Sequence, residues 1–270
     1  MKIINKTYNI YINLNRSIVL ISDVHYSNKK DIKRLNYILD NIKKLRPNYI
    51  CIPGDITDKS NIKDEELLIN WLKKLSLICK VIVSIGNHEF YINKYKNIYG
   101  LNKSFLKKIS KINNLYLLDN KNIIIDNINF IGITLPIELY KNESRKQKEF
   151  NIYFNKTKTY KKYYNILLCH SPININNNIL KDKNMNLILC GHMHGGVVPN
   201  FMKGILKNRG FITPEFKLFP KNSYGHLKMH NSDIIITSGL KITPFKLINK
   251  LFHLEIVKIK LVKYVNATYK

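Results

Sequence analysis

The sequence predicts an α/β protein whose chemistry sits at the ends of its strands. Short β-branched runs alternate with helix-period segments through the first half of the chain, and the second half is richer in strands. Acidic, histidine and asparagine residues follow the strands instead of scattering. With 270 residues, 45% of them hydrophobic and 23% charged, the chain is too apolar for disorder. One α/β domain routinely reaches this size, so a single domain over residues 1–270 is expected.

Residues 18–21 form the first β-branched run. Residues 30–45 then place Leu35, Ile38, Leu39, Ile42 and Leu45 on one helical face, and Arg46-Pro47 ends the helix. The apolar run 49–52 is a second strand. Residues 64–77 read as a helix with Leu67, Leu68, Trp71, Leu72 and Leu75 on one face, acids in its first turn and lysines in its last. Residues 81–85 complete a β-α-β-α-β unit, which calls for a parallel sheet. Residues 115–118, 123–125 and 128–133 are short strands, with Asp126-Asn127 as a turn. Residues 141–164 read as an exposed, Lys-rich helix with loops, and 174–178 as a low-complexity loop. Residues 165–169 and 187–190 are buried strands, 197–232 long loops, and 234–237 and 254–259 late strands.

Lys+Arg 45 against Asp+Glu 18 gives a net charge of +27. Only Arg16, Arg34, Arg46, Arg145 and Arg209 are arginines, and Asn and Ile are abundant throughout. This reads as compositional drift more than as a selected polyanion face, where Arg would be favoured. A nucleic-acid partner is therefore not favoured. No apolar run is long enough for a transmembrane helix, and residues 1–17 lack the apolar core of a secretory signal. Cys51, Cys79, Cys169 and Cys190 form no C-x-x-C pair and read as reduced, buried thiols, which fits the cytoplasm. Peripheral, lysine-driven contact with an anionic membrane remains compatible with this charge.

Five strands each deliver candidate ligands: Asp23-Val24-His25, Gly54-Asp55-Ile56-Thr57-Asp58, Gly86-Asn87-His88-Glu89, His170, and Gly191-His192-Met193-His194. In α/β sheets, ligands bind beyond the carboxyl ends of strands. Imidazoles and carboxylates gathered there are costly to desolvate unless cations join them. Asp23, His25, Asp55, Asn87, His170, His192 and His194 are too many for one ion. Two divalent ions roughly 3.5–4 Å apart, sharing a carboxylate, fit that inventory. Mixed N/O ligation favours Mn, Fe or Zn over Mg or Ca. Singly, each block is weak: Gly-Asp and Gly-Asn-His are common turns, and His170 serves equally as a core imidazole. Order and strand placement together carry the metal reading. His226 and His230 read as surface residues, and Phe201, Phe211, Phe216, Phe219 and Tyr224 as local packing.

The series D-x-H, G-D-x-x-D, G-N-H-E, H, G-H-x-H, running from Asp23 to His194, resembles the calcineurin-like metallophosphoesterase superfamily. The stretch GHMHGG at 191–196 and Ser238-Gly239-Leu240 resemble its branch of bacterial YkuE- and YaeI-type phosphoesterases. The resemblance implies a four-layer αββα sandwich of two mixed sheets flanked by helices. It implies that Asp23, His25 and His194 hold one ion, that Asn87, His170 and His192 hold the other, and that Asp55 bridges them. It further implies that His88 faces the phosphate as acid or stabiliser, with Asp58 and Glu89 supporting the ligands. The implied activity is phosphoester hydrolysis by a metal-bound hydroxide. His88 suggests diesters, of a small molecule or lipid headgroup, because a poor alkoxide leaving group gains from an acid. A nuclease and a non-catalytic polyanion-binding module are the alternatives. Specificity is expected from loops at 27–30, 91–102, 136–161 and 197–232.

Overall fold

Period-2 alternation along the central strands produces two sheets that share one core. The computed structural model describes residues 2–58, 62–93, 98–140, 147–214, 216–241 and 253–263. In chain order its elements are β1 (Ile3–Tyr11), β2 (Arg16–Leu20), α1 (Ile32–Leu45), β3 (Tyr49–Pro53), α2 (Glu65–Ser76), β4 (Lys80–Ser84), β5 (Phe90–Asn93), β6 (Ile98–Leu101), α3 (Lys103–Ile109) and β7 (Leu115–Leu118). There follow β8 (Lys121–Ile125), β9 (Ile128–Ile133), α4 (Gln147–Asn155), β10 (Tyr164–Cys169), α5 (Asn177–Leu180), β11 (Leu187–Cys190), α6 (Lys203–Leu206), β12 (Gly225–Met229), β13 (Ser232–Ile236) and β14 (Leu254–Val262).

The first sheet has the order β1-β14-β2-β3-β4-β7 and the second β12-β13-β11-β10-β9-β8; β5 and β6 form a separate hairpin. Both sheets are mixed, but their centres are parallel: β2, β3, β4 and β7 in one, β9, β10, β11 and β13 in the other. Ile18, Leu20, Tyr49 and Cys51 face inward and meet Phe130, Ile166, Leu168 and Leu189 of the second sheet. Their neighbours Val19 and Ile50 face outward onto Leu35, Ile38 and Trp71 of α1 and α2. On the far side, Leu167 and Ile188 face Phe150, Phe154 and Leu180. The result is the four-layer αββα arrangement.

Local sequence explains the element boundaries. On α1, Leu35, Ile38, Leu39 and Ile42 are buried, and Arg46 leaves the helix in a left-handed conformation (φ 46°) just before Pro47. On α2 the acids Glu65 and Glu66 and the lysines Lys73 and Lys74 flank the ends as the dipole favours. Trp71 is buried and donates its indole N–H to the Leu35 carbonyl at 2.8 Å, locking the two helices. Asp126 and Asn127, with φ of 49° and 63°, make the tight β8–β9 turn.

Several expectations need correction. Leu67 is exposed, since it lies at the edge of the α2 apolar face. The segment expected to be an exposed helix contains α4, whose Phe150 and Phe154 are completely buried; residues 141–146 lie outside the described residues. The low-complexity loop gives way to α5, capped by the Asn176 side chain on the amides of Asn178 and Ile179. The stretch 197–232 holds α6 and β12. Strand β1 went unread because Asn, Lys and Thr interrupt its apolar residues, as suits an edge strand with one wet face.

Replacing Trp71 by Ala removes the largest fully buried side chain and its bond to α1. The loss expected in urea unfolding is about 3–5 kcal/mol, with the m-value unchanged.

Candidate metal centre

The two sheets bring the carboxyl ends of β2, β3, β4, β10 and β11 to one edge. There the loops after β2 and β3 continue side by side as a distorted ladder. The amides of Asp23, His25 and Tyr26 donate to the carbonyls of Gly54, Asp55 and Ile56 at 3.4, 3.1 and 2.9 Å. Contacts between the sheets close the edge: His170 Nδ1 lies 2.6 Å from the Pro53 carbonyl, and the His192 amide donates to the Asp23 carboxylate at 3.1 Å. Asp23, His25, Asp55, His192 and His194 all have positive φ, between 45° and 68°. Non-glycine residues seldom adopt this conformation, and its clustering is typical of functional sites. At Gly191 a Cβ would collide with Ser22 and the Asp23 carboxylate, and at Gly86 with Asp55, so both loops approach as closely as glycine permits.

Asp23 and Asp55 are buried, and imidazoles surround them. Ligand atoms of Asp23, His25 and His194 lie within 4.8 Å of one another, as do those of Asp23, Asp55 and His170, and those of His25, Asp55 and His88. His170 Nε2 is 3.1 Å from Asp55 Oδ2, and His25 Nε2 is 3.6 Å from the same oxygen. Asp23 Oδ1 has His25 Nε2 at 3.8 Å and His194 Nδ1 at 3.9 Å. The His192 ring stacks edge-on against His170, with centroids 5.1 Å apart, and falls in none of the three sets among the described residues. Asn87 follows Gly86 and buries its Oδ1 without a hydrogen-bond partner.

The pattern of unsatisfied atoms tests whether a cation fits. His25 Nε2, His170 Nε2, His194 Nδ1 and Asn87 Oδ1 are all buried without a hydrogen bond. Buried polar atoms are normally paired. Four orphaned ligand atoms around two buried carboxylates, with no thiolate among them, form a donor set that suits divalent cations.

Electrostatics follow the same geometry. Burial opposes ionisation of Asp23, but His194, His25 and His170 outweigh it and hold the carboxyl below its usual range. Burial likewise opposes Asp55, and His170, His25 and His88 keep it ionised. Burial would lower His170, yet Asp55 and Asp23 push it up to about 9. His194 is driven down to about 3, chiefly by burial, which keeps its ring neutral. Asp58 is lowered to about 2, first by its bond to His25 Nδ1 at 3.1 Å.

The supporting groups have clear roles. Asp58 orients His25 and accepts a contact from Lys241 at 3.7 Å. The Asp58 carbonyl engages His88 Nδ1, leaving Nε2 3.9 Å from Asp55 Oδ2. Glu89 is buried and accepts four backbone N–H groups: Gly86 at 2.8 Å, Asp55 at 3.0 Å, Ile56 at 2.7 Å and Thr57 at 3.1 Å. It stitches the loop after β4 to the loop after β3.

Two residues escaped the sequence reading. Arg34 is buried on α1 and donates to the carbonyls of Val24 and Leu240, each at 2.6 Å, holding the Asp23–His25 loop. Its signal was an arginine beside Leu35 on the apolar face, in a chain that otherwise uses lysine. Tyr140 lies in a short 3-10 turn and packs its ring 5.2 Å from His192 and 6.0 Å from His170; it carries no readable spacing. His226, expected at the surface, is half-buried and pairs with Asp233 at 2.7 Å, whereas His230 is exposed; neither falls in the three ligand sets among the described residues. Phe201, Phe216 and Phe219 do not pack locally and are exposed.

In a Glu89→Gln variant the amide NH₂ faces backbone donors. Each unpaired N–H costs about 1–3 kcal/mol, so the unfolding free energy should fall by at least about 2 kcal/mol. Mn²⁺ affinity should fall about 10–100-fold as the loops separate, read by isothermal titration calorimetry.

Comparison with known proteins agrees with this geometry. Residues 16–196 match the family described as calcineurin-like phosphoesterase. The uncharacterized metallophosphoesterase Cj0846 of Campylobacter jejuni is 27% identical over 200 residues, covering 72% of this chain and 48% of that protein. An uncharacterized metallophosphoesterase of Helicobacter pylori (strain ATCC 700392 / 26695) is 26% identical over 185 residues, 67% of this chain and 45% of that one. Another, from Aquifex aeolicus, is 27% identical over 183 residues, 66% and 62% respectively. The chain thus spans about half the length of the first of these relatives. With a family match that runs from β2 through the His192–His194 loop and takes in every strand end of the site, the chain belongs to the calcineurin-like phosphoesterase family.

Proposed function

We propose that this chain is a metal-dependent phosphoesterase that hydrolyses phosphate esters, diesters in preference to monoesters, with two divalent ions of the Mn, Fe or Zn type. The observation that carries the reading is the meeting of two buried carboxylates, Asp23 and Asp55, with ring nitrogens of His25, His170 and His194 that have no other partner. In this reading Asp23, His25 and His194 would hold one ion and Asn87, His170 and His192 the second, with Asp55 shared by both. Residues 191–196 and 238–240 support placement in the branch of YkuE- and YaeI-type enzymes.

Such ions, when bound, supply charge neutralisation for phosphoryl oxygens and activation of water for in-line attack. The chain's own groups do the rest. His88 is anchored through Nδ1 on the Asp58 carbonyl and is less buried than the other site imidazoles His25 and His170. Its Nε2 is the atom from which a proton can reach a departing alkoxide. Asp58 and Glu89 fix the ligand loops, and Arg34 holds the backbone of the Asp23–His25 loop.

The direct test is metal analysis coupled to hydrolysis of bis(p-nitrophenyl) phosphate and p-nitrophenyl phosphate in Mn²⁺. Two metal equivalents and faster diester turnover are expected, and Asp55→Asn should lose both metal and activity. Protein that holds two metals and turns over neither ester overturns the reading.

The role of His88 separates by leaving group. His88→Asn should lower hydrolysis of an alkyl phosphodiester by about 10²–10⁴-fold with metal content unchanged. The p-nitrophenyl ester, whose leaving group needs little protonation, should lose much less. Equal losses on both esters would remove His88 from proton transfer.

A further inference from the structure

We propose that residues 197–214 and 216–221 form a docking surface for an anionic lipid bilayer. Most large apolar side chains in this protein are buried, but this segment presents Phe201, Ile205, Phe216 and Phe219 at 73%, 76%, 82% and 70% exposure, together with Val197 and Leu218. Singly exposed apolar residues are ordinary; six in one short segment are not.

The surface is built, not frayed. The Phe211 and Ile212 amides donate to the Gly196 carbonyl at 2.7 and 3.2 Å. Gly210 donates to Pro220 at 2.8 Å, Phe219 to Phe211 at 2.9 Å, and Thr213 to Lys217 at 2.9 Å, so residues 210–213 run against 217–220. Val197, Phe216 and Phe219 sit at positive φ, conformations that a β-branched or aromatic residue adopts only when the surroundings fix them. On the other arm, Tyr224 donates its hydroxyl to the Lys203 carbonyl at 2.9 Å, securing α6, which carries Ile205.

Charge selects the occupant. Lys207, Arg209, Lys217 and Lys221 are exposed among the apolar side chains. Glu215 is the only carboxylate between Asp182 and Asp233. A second copy of a chain with net charge +27 would meet like charge. Phenylalanine and leucine side chains interleaved with cations match an interface of acyl chains beneath anionic headgroups. The segment begins three residues after His194.

The test is co-sedimentation of the whole chain with phosphatidylglycerol/phosphatidylcholine vesicles and with pure phosphatidylcholine vesicles, at low and high salt. Partition to the anionic vesicles is expected, weakened by salt and at least tenfold weaker for Phe216→Ser/Phe219→Ser and for Phe201→Ser/Ile205→Ser. Both variants should keep the wild-type circular dichroism and Mn²⁺ content. No partition of the wild type, equal partition of the folded variants, or equal binding to phosphatidylcholine alone overturns the proposal. So does a change from oligomer to monomer in the variants without a change in partition, which would make the patch a contact between copies. Partition is read without turnover, so a failure of the phosphoesterase reading leaves this result standing, and the reverse.

Discussion

Everything at the strand ends answers to one constraint: Asp23 and Asp55 remain ionised with almost no access to water. Their relative exposures are 0% and 1%. An isolated carboxylate in such surroundings would take up a proton. Here the surrounding imidazoles and two backbone donors make the charged form the stable one. The site is therefore a cluster of polar groups, shielded from solvent by the surrounding fold, whose donor atoms favour a cation. The remote groups serve that end: Glu89 collects the amides of two loops, and Arg34 satisfies the Val24 carbonyl of the turning Asp23–His25 backbone together with the carbonyl of Leu240.

Five site residues at positive φ represent a standing strain, on the order of 1–3 kcal/mol each. Loops alone would relax it. The two sheets prevent relaxation because the loops are anchored on both sides of the shared core, through the His170–Pro53 and His192–Asp23 contacts. The packing of Ile18, Leu20 and Tyr49 against Phe130, Ile166 and Leu168 thus does more than stabilise the fold. It fixes the distance between ligand groups supplied by different sheets. A rigid scaffold of this kind gives the candidate ligand groups the preorganisation that a multidentate site needs.

Much of this was legible in the sequence, and the reasons are physical. Five of the eight histidines lie in the blocks that meet at the site, and strand-end placement in a parallel sheet forces convergence whatever the loops do. Helices α1 and α2 announced themselves by period and by the charges at their ends. What was hidden depended on partners distant in sequence. Arg34 reads as one more helical cation until the carbonyls of Val24 and Leu240 are seen beneath it. Strand β1 has too little apolar alternation to be read without β14 beside it. The exposure of Phe216 and Phe219 is a property of backbone geometry at 210–220 that no periodicity encodes.

The high positive charge gains meaning only where it is coupled to something else. Lysines spread over the surface raise the local concentration of any anion near the protein, an effect that salt screens within about 8–10 Å. That field is indifferent to which anion arrives. Discrimination requires fixed, short-range groups; two sets stand near the surface, the His88–Asp58 pair at the candidate metal centre and the exposed aromatic and cationic side chains that follow His194. Local consistency between sequence and fold holds across the sheets and lapses in the second of these sets, where large apolar side chains stand in water. Such lapses persist in natural proteins where function demands them. The segment behind His194 therefore departs from the local rule that the sheets obey, while the two buried carboxylates in front of it are held by partners from both sheets.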